Sequence, residues 1–167
     1  MSHETARYRP NVGVVVFNKD GRVWLGRRAG TPPPHNWQFP QGGVDPGEEL
    51  LAAARRELQE ETGITSVSLL AAAEGRITYE FPPEHRRSKA AQGYRGQSQA
   101  WFAFRFDGGD SEIDLEAHPH IEFDAWRWAG LDEAVDLVIP FKRAAYQKVV
   151  AAFGHIPKLL KPPAIST

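Results

Sequence analysis

Three glutamates in the middle of the chain have the residue type and the spacing of a metal site. Glu57, Glu60 and Glu61 stand at positions i, i+3 and i+4, so their carboxylates would share one sector of a helix. Like charges placed in this way repel each other, and a hard, oxygen-seeking cation such as Mg²⁺ or Mn²⁺ would neutralise them. The alternative is a solvated acidic helix whose charges have no function, so the residues around the glutamates decide the interpretation.

The element that must position these glutamates is a helix. Asp45, Pro46 and Glu48 predict its start, because an acidic cap, a proline in the first turn and a glutamate three residues after the cap satisfy unpaired amides. Gly63 predicts its end, since glycine readily adopts the left-handed conformation that terminates helices. An apolar stripe along this helix consists of Leu51, Ala54 and Leu58.

Glycines surround the predicted start of the helix. Gly42, Gly43 and Gly47 leave the entry loop without side chains, so that its backbone can approach a ligand closely. We therefore include Gly42 in the predicted metal site. From Gly42 to Ile64, glycines, arginine, glutamates and apolar positions follow one fixed register, which resembles the Nudix box of the Nudix hydrolases at every defined position. This register favours a metal site over a functionless acidic helix.

The composition predicts one domain that binds polyanions only through local features. The chain has 167 residues, of which 41% are hydrophobic and 25% charged, as in ordinary globular proteins. Its net charge of −1 means that local basic patches or bound metal must hold any polyanion. The absence of cysteine excludes disulfides and thiolate zinc sites. The first ten residues lack the apolar core of a signal peptide and no segment has the length of a membrane span, so we expect a cytoplasmic protein.

Apolar and aromatic runs predict the remaining elements. The predicted strands are 8–17, 22–28, 37–41, an extended segment 66–81, 97–106 and 122–128. The predicted helices besides the acidic one are 131–136 and 140–153, and the tail from Gly154 is expected to be irregular. Strands combined with two main helices indicate the α/β class, with a sheet covered on both faces as an α/β/α sandwich.

Residues 82–96 form a polar, basic stretch between two predicted strands, which we interpret as a mobile loop. It contains His85, Arg86, Arg87, Lys89, Tyr94 and Arg95. Two interpretations stay open at this point. The loop is either a solvated surface excursion or a flap that meets phosphates or bases, since long loops without regular structure are often functional.

Several stretches outside the box resemble one branch of the Nudix family. RYRPNVG, GRR, WQFPQGG, GQSQAWF, IEFDAWRW and FKRAAY are similar to segments of the bacterial RNA pyrophosphohydrolases, a branch that overlaps the dinucleoside polyphosphate hydrolases. The resemblance extends over residues 8–153, within a single predicted domain of 1–167 that has a polar N-terminal tail and a proline-rich C-terminal tail. It implies a mixed central sheet and the conversion of 5′-triphosphate RNA to 5′-monophosphate RNA and pyrophosphate. The proline-rich insert TPPPHN departs from the shorter loop expected there.

The resemblance also implies roles for the acidic residues. Glu57, Glu60 and Glu61 would bind the divalent metal, Mg²⁺ or Mn²⁺, and Glu61 is the first candidate for the base that takes the proton of the attacking water. Arg56, four residues before Glu60, would orient the carboxylates. Glu48 would brace the glycine loop rather than bind metal. Glu122 would ligate a second ion or act as the base, and its alternative is a glutamate on an edge strand without function.

The same resemblance assigns substrate-binding residues. Arg9 and Lys142 match phosphate-contacting positions, and Arg28, Tyr79 and Phe141 match positions that hold a base by stacking. Without the resemblance, Phe141 on an amphipathic helix would be a core residue by default. We expect packing roles for Trp37, Trp101, Trp126 and Trp128, and surface positions for His35, His118 and His120.

Two other functions are considered beside RNA pyrophosphohydrolysis. One is the hydrolysis of dinucleoside polyphosphates such as diadenosine tetraphosphate, which would use the same metal chemistry. The other is a nucleotide-binding sensor that keeps the fold without turnover. The intact box argues against the sensor, because degenerate boxes usually accompany loss of turnover. No membrane association and no obligate protein partner are predicted.

Overall fold

The computed structural model describes residues 7–160, so the predicted polar N-terminal tail up to residue 6 and the last residues of the proline-rich tail, 161–167, lie outside the described part. The strands are β1 Tyr8–Phe17, β2 Val23–Arg28, β3 Trp37–Gln38, β4 Gln41–Gly43, β5 Val67–Ala72, β6 Ile77–Glu80, β7 Gly96–Phe106 and β8 Phe123–Ala129. The α-helices are α1 Leu50–Thr62, α2 Pro83–Arg86, α3 Glu133–Leu137, α4 Arg143–Phe153 and α5 Ile156–Leu160. Short 3₁₀ helices cover Lys89–Ala91, Asp110–Glu112 and Pro140–Lys142.

The strands form one mixed sheet around β1. Its order is β3-β2-β1-β7-β5, while β4 pairs with β1, β6 with β7 and β8 with β2. The pair β1–β7 is parallel, from Tyr8 opposite Gly96 to Phe17 opposite Arg105, and the other pairs are antiparallel. The short strand β4 pairs with β1 from Asn11 to Gly13, whereas β2 pairs with β1 only at Phe17, the last residue of β1. The strand β4 therefore lies beside β1 in the middle of the sheet.

Helices cover both faces of this sheet, which confirms the α/β/α sandwich. Alternate residues of β1 point to opposite faces. Val12, Val14 and Val16 belong to the core beneath α1, together with Ala54 and Leu58. On the opposite face, the core beneath α4 contains Val15, Phe17, Tyr146, Val149 and Phe153. No helix within residues 7–160 combines the length and the apolarity needed to cross a membrane.

The acidic helix begins later than the sequence predicts. It starts at Leu50, and the preceding Glu49 makes no side-chain cap. Asp45 and Glu48 instead form a separate turn, in which the Glu48 N–H donates to the Asp45 carbonyl and the Asp45 N–H to the Glu48 carboxylate, both at 3.0 Å. Gly47 has φ 76°, which breaks the helical path between this turn and α1. The predicted end is confirmed, since Gly63 adopts the left-handed conformation with φ 77°.

Several predicted strands are divided in the structure. The predicted strand 37–41 is two strands, because Pro40 has no N–H and interrupts the ladder while its carbonyl accepts the Val14 N–H. The extended segment 66–81 is likewise β5 and β6, with Gly75 at φ 67° in the turn between them.

Three predicted segments have more helix or a different helix than expected. The loop prediction for 82–96 is wrong in part, since it contains α2 and one 3₁₀ turn. The predicted helix 140–153 begins with a 3₁₀ turn, and α4 starts at Arg143. The tail predicted to be irregular from Gly154 contains α5, whose Ile156 is buried in the core beneath α4. Burial of that side chain stabilises a short helix that local propensity does not predict.

Candidate active site

The centre of the site is the glycine strand β4. Gly42 lies opposite Val12 and Gly43 opposite Asn11 on β1, so the two glycines face opposite sides of the sheet. A Cβ added to Gly42 would overlap the Glu57 carboxylate, and a Cβ added to Gly43 would overlap the guanidinium of Arg9. The strand β4 therefore separates a carboxylate on the face of α1 from a cation on the face of α4, and only glycine allows both to approach the backbone.

Arg56 joins the glycine strand to the acidic helix. Its Nε donates to Glu48 at 2.8 Å, and its Nη2 donates to the Gly43 carbonyl at 2.9 Å. Its Nη1 donates to Glu57 at 2.9 Å and to Glu60 at 3.3 Å. These bonds hold the pKa of Glu48 at about 2 and raise the pKa of Arg56, chiefly through the Arg56–Glu48 hydrogen bonds. One guanidinium thus fixes the loop and two carboxylates with respect to each other.

The carboxylates beside β4 repel each other. Burial raises the pKa of Glu61 well above its usual range, and the charges of Glu122 and Glu57 raise it further. The backbone N–H of Gln41 on β4 opposes this shift by donating to Glu61 at 3.2 Å. Burial also raises the pKa of Glu57, against the effect of Arg56. The Glu61 carboxylate is therefore buried without a cationic partner of its own in hydrogen-bond range among the described residues.

These residues fit a divalent cation on the chemistry of their donors. The side chains that converge on β4 offer carboxylate oxygens, which Mg²⁺ and Mn²⁺ prefer, and a cation would offset the burial and the repulsion that together raise the pKa of Glu57 and Glu61. Within residues 7–160, no three acidic or histidine side chains are close enough to form a complete metal-binding group. Glu60 is the most peripheral of the predicted ligands, since its carboxylate contacts Arg56 and its side chain is 35% exposed.

Two further cations, Lys142 and Arg28, lie near the carboxylates. Lys142 is 5% exposed, and its Nζ donates to the Gln38 side-chain carbonyl at 3.2 Å. Burial and then the charge of Arg28 lower the pKa of Lys142 to about 7, against the attraction of Glu122 and Glu61. The structure thus brings Lys142 and Arg28 near each other and near the acidic group, although they are far apart in sequence.

Aromatic rings border the cations. The centroids of Tyr79 and Phe141 are 5.9 Å apart, and the Nζ of Lys142 lies 5.8 Å from the centre of the Tyr79 ring. Phe81 and His85 extend this group, since the ring centroid of His85 lies 4.5 Å from that of Phe81 and 6.0 Å from that of Phe141. We call Tyr79, Phe81, His85 and Phe141 the aromatic wall. Phe141 is only partly buried, so it is not the full core residue that its helical position suggests by default.

A layer of buried amides lies between the wall and β4, and the sequence did not reveal it. The Tyr79 hydroxyl donates to Gln97 at 2.6 Å, and the Gln99 amide donates to Asn11 at 2.9 Å and to Gln41 at 3.1 Å. The sheet register aligns these groups: Arg9 lies opposite Gln97 and Asn11 opposite Gln99. In the sequence, the only sign of this layer was the alternation of polar residues within two apolar strands. The contacts between these polar residues form only because β1 and β7 pair in parallel.

The predicted packing and surface residues are placed mostly as expected. Trp101 is 1% exposed and packs in the core beneath α4. Trp37 is only partly buried and lies under the guanidinium of Arg127, 5.0 Å from its ring centre. His120 has a side chain that is 79% exposed and lies 3.4 Å from the Glu122 carboxylate. His35, in the proline-rich insert, contacts the Asp136 carbonyl at 3.1 Å and is partly buried.

Sequence comparison gives a family and curated relatives. The NUDIX domain model matches residues 7–153. An RNA pyrophosphohydrolase of Caulobacter vibrioides is 67% identical over 148 residues, which cover 88% of this chain and 86% of that protein. An RNA pyrophosphohydrolase of Mesorhizobium japonicum is 49% identical over 166 residues, covering 93% of this chain and 95% of that protein.

Structural comparison gives the same fold. The Ap4A hydrolase of C. elegans, solved as a binary complex, has a TM-score of 0.63 at 24% identity, covering 89% of this chain and 99% of that chain. The dihydroneopterin triphosphate pyrophosphohydrolase of E. coli has a TM-score of 0.65 at 24% identity, covering 86% and 97%. The domain match over residues 7–153 and the relatives at 67% and 49% identity show the family, and the structural likenesses agree with its fold: the chain belongs to the Nudix family of hydrolases.

Proposed function

We propose that this protein is a single-domain, divalent-metal-dependent pyrophosphohydrolase that converts 5′-triphosphate RNA to 5′-monophosphate RNA with release of pyrophosphate. The observation that carries the proposal is the meeting, around β4, of repelling carboxylates with the buried Lys142, the neighbouring Arg9 and Arg28, and an aromatic wall. The carboxylates would bind the metal, the cations the polyphosphate and the aromatic wall the base. The relatives at 67% and 49% identity, which are RNA pyrophosphohydrolases, support the same substrate.

The carboxylate side would hold the metal and activate water. Glu57 and Glu61 are the inner candidates for ligands, with Glu60 and Glu122 beside them and Gly42 keeping the backbone clear of side chains. We propose Mg²⁺ as the ion, with Mn²⁺ as a substitute, because every donor is an oxygen. When bound, the ion polarises phosphoryl oxygens and lowers the pKa of a coordinated water.

Different residues would accept the proton of the attacking water and bind the polyphosphate. Glu61 would take the proton of the attacking water, since its carboxylate is buried and faces no arginine directly; Glu122 is the second candidate base. Water oxygen bonds to phosphorus, the α–β phosphoric anhydride bond breaks and pyrophosphate leaves. Arg9, Arg28 and Lys142 would hold the polyphosphate, because Arg9 lies across β4 from Glu57 and because Lys142 lies close to Arg28 and to the acidic group. Arg56 would keep Glu57 and Glu60 oriented.

The aromatic wall would hold the first nucleobase. Phe141 is partly buried, so one side of its ring can stack on a base, and Arg28 supplies a second planar group. A cytoplasmic location is part of the proposal, because that is where RNA turns over and because the chain has no cysteine that would need oxidising conditions.

The test is the incubation of the protein with 5′-triphosphate RNA and Mg²⁺, followed by analysis of the RNA end and of the released phosphate. We expect 5′-monophosphate RNA and one pyrophosphate for each RNA consumed, and no reaction after chelation of the metal. If the RNA keeps its triphosphate while diadenosine tetraphosphate is consumed, the substrate is a dinucleoside polyphosphate instead. Where both react, the ratio of their kcat/KM values identifies the primary substrate. Binding without release of phosphate would indicate a nucleotide sensor.

A further inference from the structure

The connection between β6 and β7 carries cations that the proposed chemistry does not use. We call residues 82–95 the basic flap. It contains one acidic residue, Glu84, and four arginines or lysines: Arg86, Arg87, Lys89 and Arg95. The whole chain has a net charge of −1, so this short excursion is a local concentration of positive charge.

The flap is held at its base. The Phe81 N–H donates to the Arg95 carbonyl at 2.8 Å, which closes the excursion where it leaves the sheet. The two oxygens of Glu80 pair with Arg86 at 3.0 Å and with Arg95 at 2.8 Å. Arg86 also donates to the Phe81 carbonyl at 2.8 Å. Arg86 and Arg95 therefore share one carboxylate, and this shared pairing fixes the position of the flap on β6.

One side of the flap borders the proposed base site. His85, in α2, contributes its ring to the aromatic wall beside Phe81 and Phe141. Burial lowers the pKa of His85, and the charges of Lys142 and Arg28 lower it further, which agrees with a position facing the cations of the site. The flap is thus continuous with the wall.

The remaining cations of the flap, Arg87 and Lys89, are exposed and come shortly after His85 in the chain. Neither forms an ion pair with any residue in the described range 7–160, in contrast to Arg86 and Arg95. These two side chains therefore present unpaired positive charge to solvent, on the same excursion that carries His85 of the aromatic wall.

We propose that the basic flap binds the phosphodiester backbone of a single-stranded polynucleotide, downstream of its first nucleotide, through Arg87 and Lys89. This inference rests on the proposed function and adds a second contact region to the same substrate. In the proposed function, the 5′ triphosphate lies at the carboxylates beside β4 and the first base lies on the aromatic wall. The chain that continues from the first ribose would therefore leave the site on the side of the aromatic wall. A dinucleoside polyphosphate has no such continuing backbone, so the flap would favour RNA over small nucleotides.

A competition experiment tests the proposal. A 5′-triphosphorylated dinucleotide and a 5′-triphosphorylated twelve-nucleotide RNA react in one tube with Mg²⁺, so that their relative consumption gives the ratio of their kcat/KM values. The flap variant is Arg87→Gln/Lys89→Gln. The matched control is Lys19→Gln/Arg22→Gln, which removes the same charge from the exposed turn after β1. That turn is about 30 Å from Arg9, because β1 rises about 3.3 Å per residue.

The expected effect follows from counterion release. For a single strand, the slope of log affinity against log salt concentration becomes shallower by about 0.7 for each phosphate contact that is lost. Over the tenfold range from 1 M to 0.1 M salt, this amounts to about fivefold in affinity for each contact. The flap variant should therefore lower the preference for the long RNA by roughly 25-fold at 0.1 M salt and make its log–log salt slope shallower by about 1.4. The control variant should keep the wild-type preference and slope.

Two results would overturn the inference while leaving the proposed function intact. One is a flap variant with the wild-type preference for long RNA, and the other is an equal loss of preference in the control variant, which would indicate bulk charge. Wild-type protein that cleaves neither RNA would remove the proposed function and this inference together. Circular dichroism and thermal unfolding of both variants establish that they are folded.

Discussion

Three of the four carboxylates of the site, Glu57, Glu60 and Glu61, come from one short stretch of chain, and only Glu122 comes from elsewhere, whereas the cations and rings near them all come from distant parts of the chain. Glu57 and Glu61 lie one turn apart on α1. Arg56, also on α1, bonds to Glu57 and to the glycine strand and so fixes the position of the carboxylates. Arg28 lies on β2, and Lys142 follows β8 and α3. The acidic side is therefore set by local helix geometry, while the basic side depends on the sheet being assembled.

Both sides nevertheless share one electrostatic property, with opposite sign. Burial together with neighbouring carboxylates raises the pKa of Glu61, and burial together with Arg28 lowers the pKa of Lys142 to about 7. Each shift means that the folded protein disfavours the charge the group would carry in water. In the proposed function, a divalent cation would relieve the first shift and a polyphosphate would relieve the second. The two sides are thus complementary to a metal–polyphosphate complex rather than to each other alone.

The largest effect is expected from the acidic side, in Glu61→Gln. The variant loses a proposed ligand charge and the candidate base, so kcat should fall by about 10²–10⁴. The fold should persist, because glutamine has the same shape and can still accept the Gln41 N–H. Turnover of triphosphate RNA and thermal unfolding are the measurements. Glu60→Gln is the matched control and should lose less, since Glu60 is partly exposed and held by Arg56. Near-normal activity of Glu61→Gln would refute its role.

A smaller loss is expected from Arg56→Lys, which tests how the acidic side is ordered. A lysine cannot reach Glu48, the Gly43 carbonyl and Glu57 at once, because it lacks the planar fork of arginine. We expect a loss of about 10–100-fold in activity or in the apparent affinity for Mg²⁺, as for other residues that orient metal ligands. A titration of activity with Mg²⁺ measures it. An unchanged Mg²⁺ dependence would mean that Arg56 does not set the carboxylate geometry.

The two glycines of β4 allow a direct comparison of the two sides. Gly42→Ala places a methyl group against the Glu57 carboxylate, and Gly43→Ala places one against the end of the flexible Arg9 side chain. Gly42→Ala should lower kcat roughly tenfold because a proposed metal ligand must move. Gly43→Ala should mainly raise KM, and by less, because the long Arg9 side chain can shift. Steady-state kinetics on one RNA checks both, and equal effects on kcat would contradict the separation by β4.

The same contrast explains how much of the molecule the sequence could predict. The apolar positions Ala54 and Leu58 and the helix end at Gly63 are local features, and they occur as predicted. The helix start was wrong, because Gly47 lets Asp45 and Glu48 close a turn of their own that uses the same capping groups.

Features that depend on assembly were not predictable in the same way. The amide layer exists because the parallel pairing of β1 and β7 places Asn11 opposite Gln99, and no local pattern specifies that register. The helix α5 forms because Ile156 meets the core beneath α4. Resemblance to a family supplied Arg28 and Lys142, which spacing alone could not have paired.

The last effect is one of stability rather than activity, and it concerns the basic side. The folded-state pKa of Lys142, about 7, lies below its ordinary value of 10.5, so between these pH values the unfolded chain binds a proton that the folded chain does not. The destabilisation by Lys142 is therefore fully present below pH 7 and disappears as the pH rises toward 10.5. Lys142→Met removes this effect, so the variant should be more stable than wild type at pH 7, by a margin that shrinks with rising pH.

Urea unfolding of metal-free protein at pH 7 and at pH 9.5 measures that margin, and the difference between variant and wild type cancels the titration of all other groups. The margin should change by no more than about 1.4 kcal/mol per pH unit. Lys148→Met, on the exposed side of α4, controls for replacing a lysine by methionine. A margin independent of pH would mean that Lys142 stays protonated in the folded protein. Its positive charge would then be balanced before any phosphate arrives, and the symmetry between the acidic and basic sides would be lost.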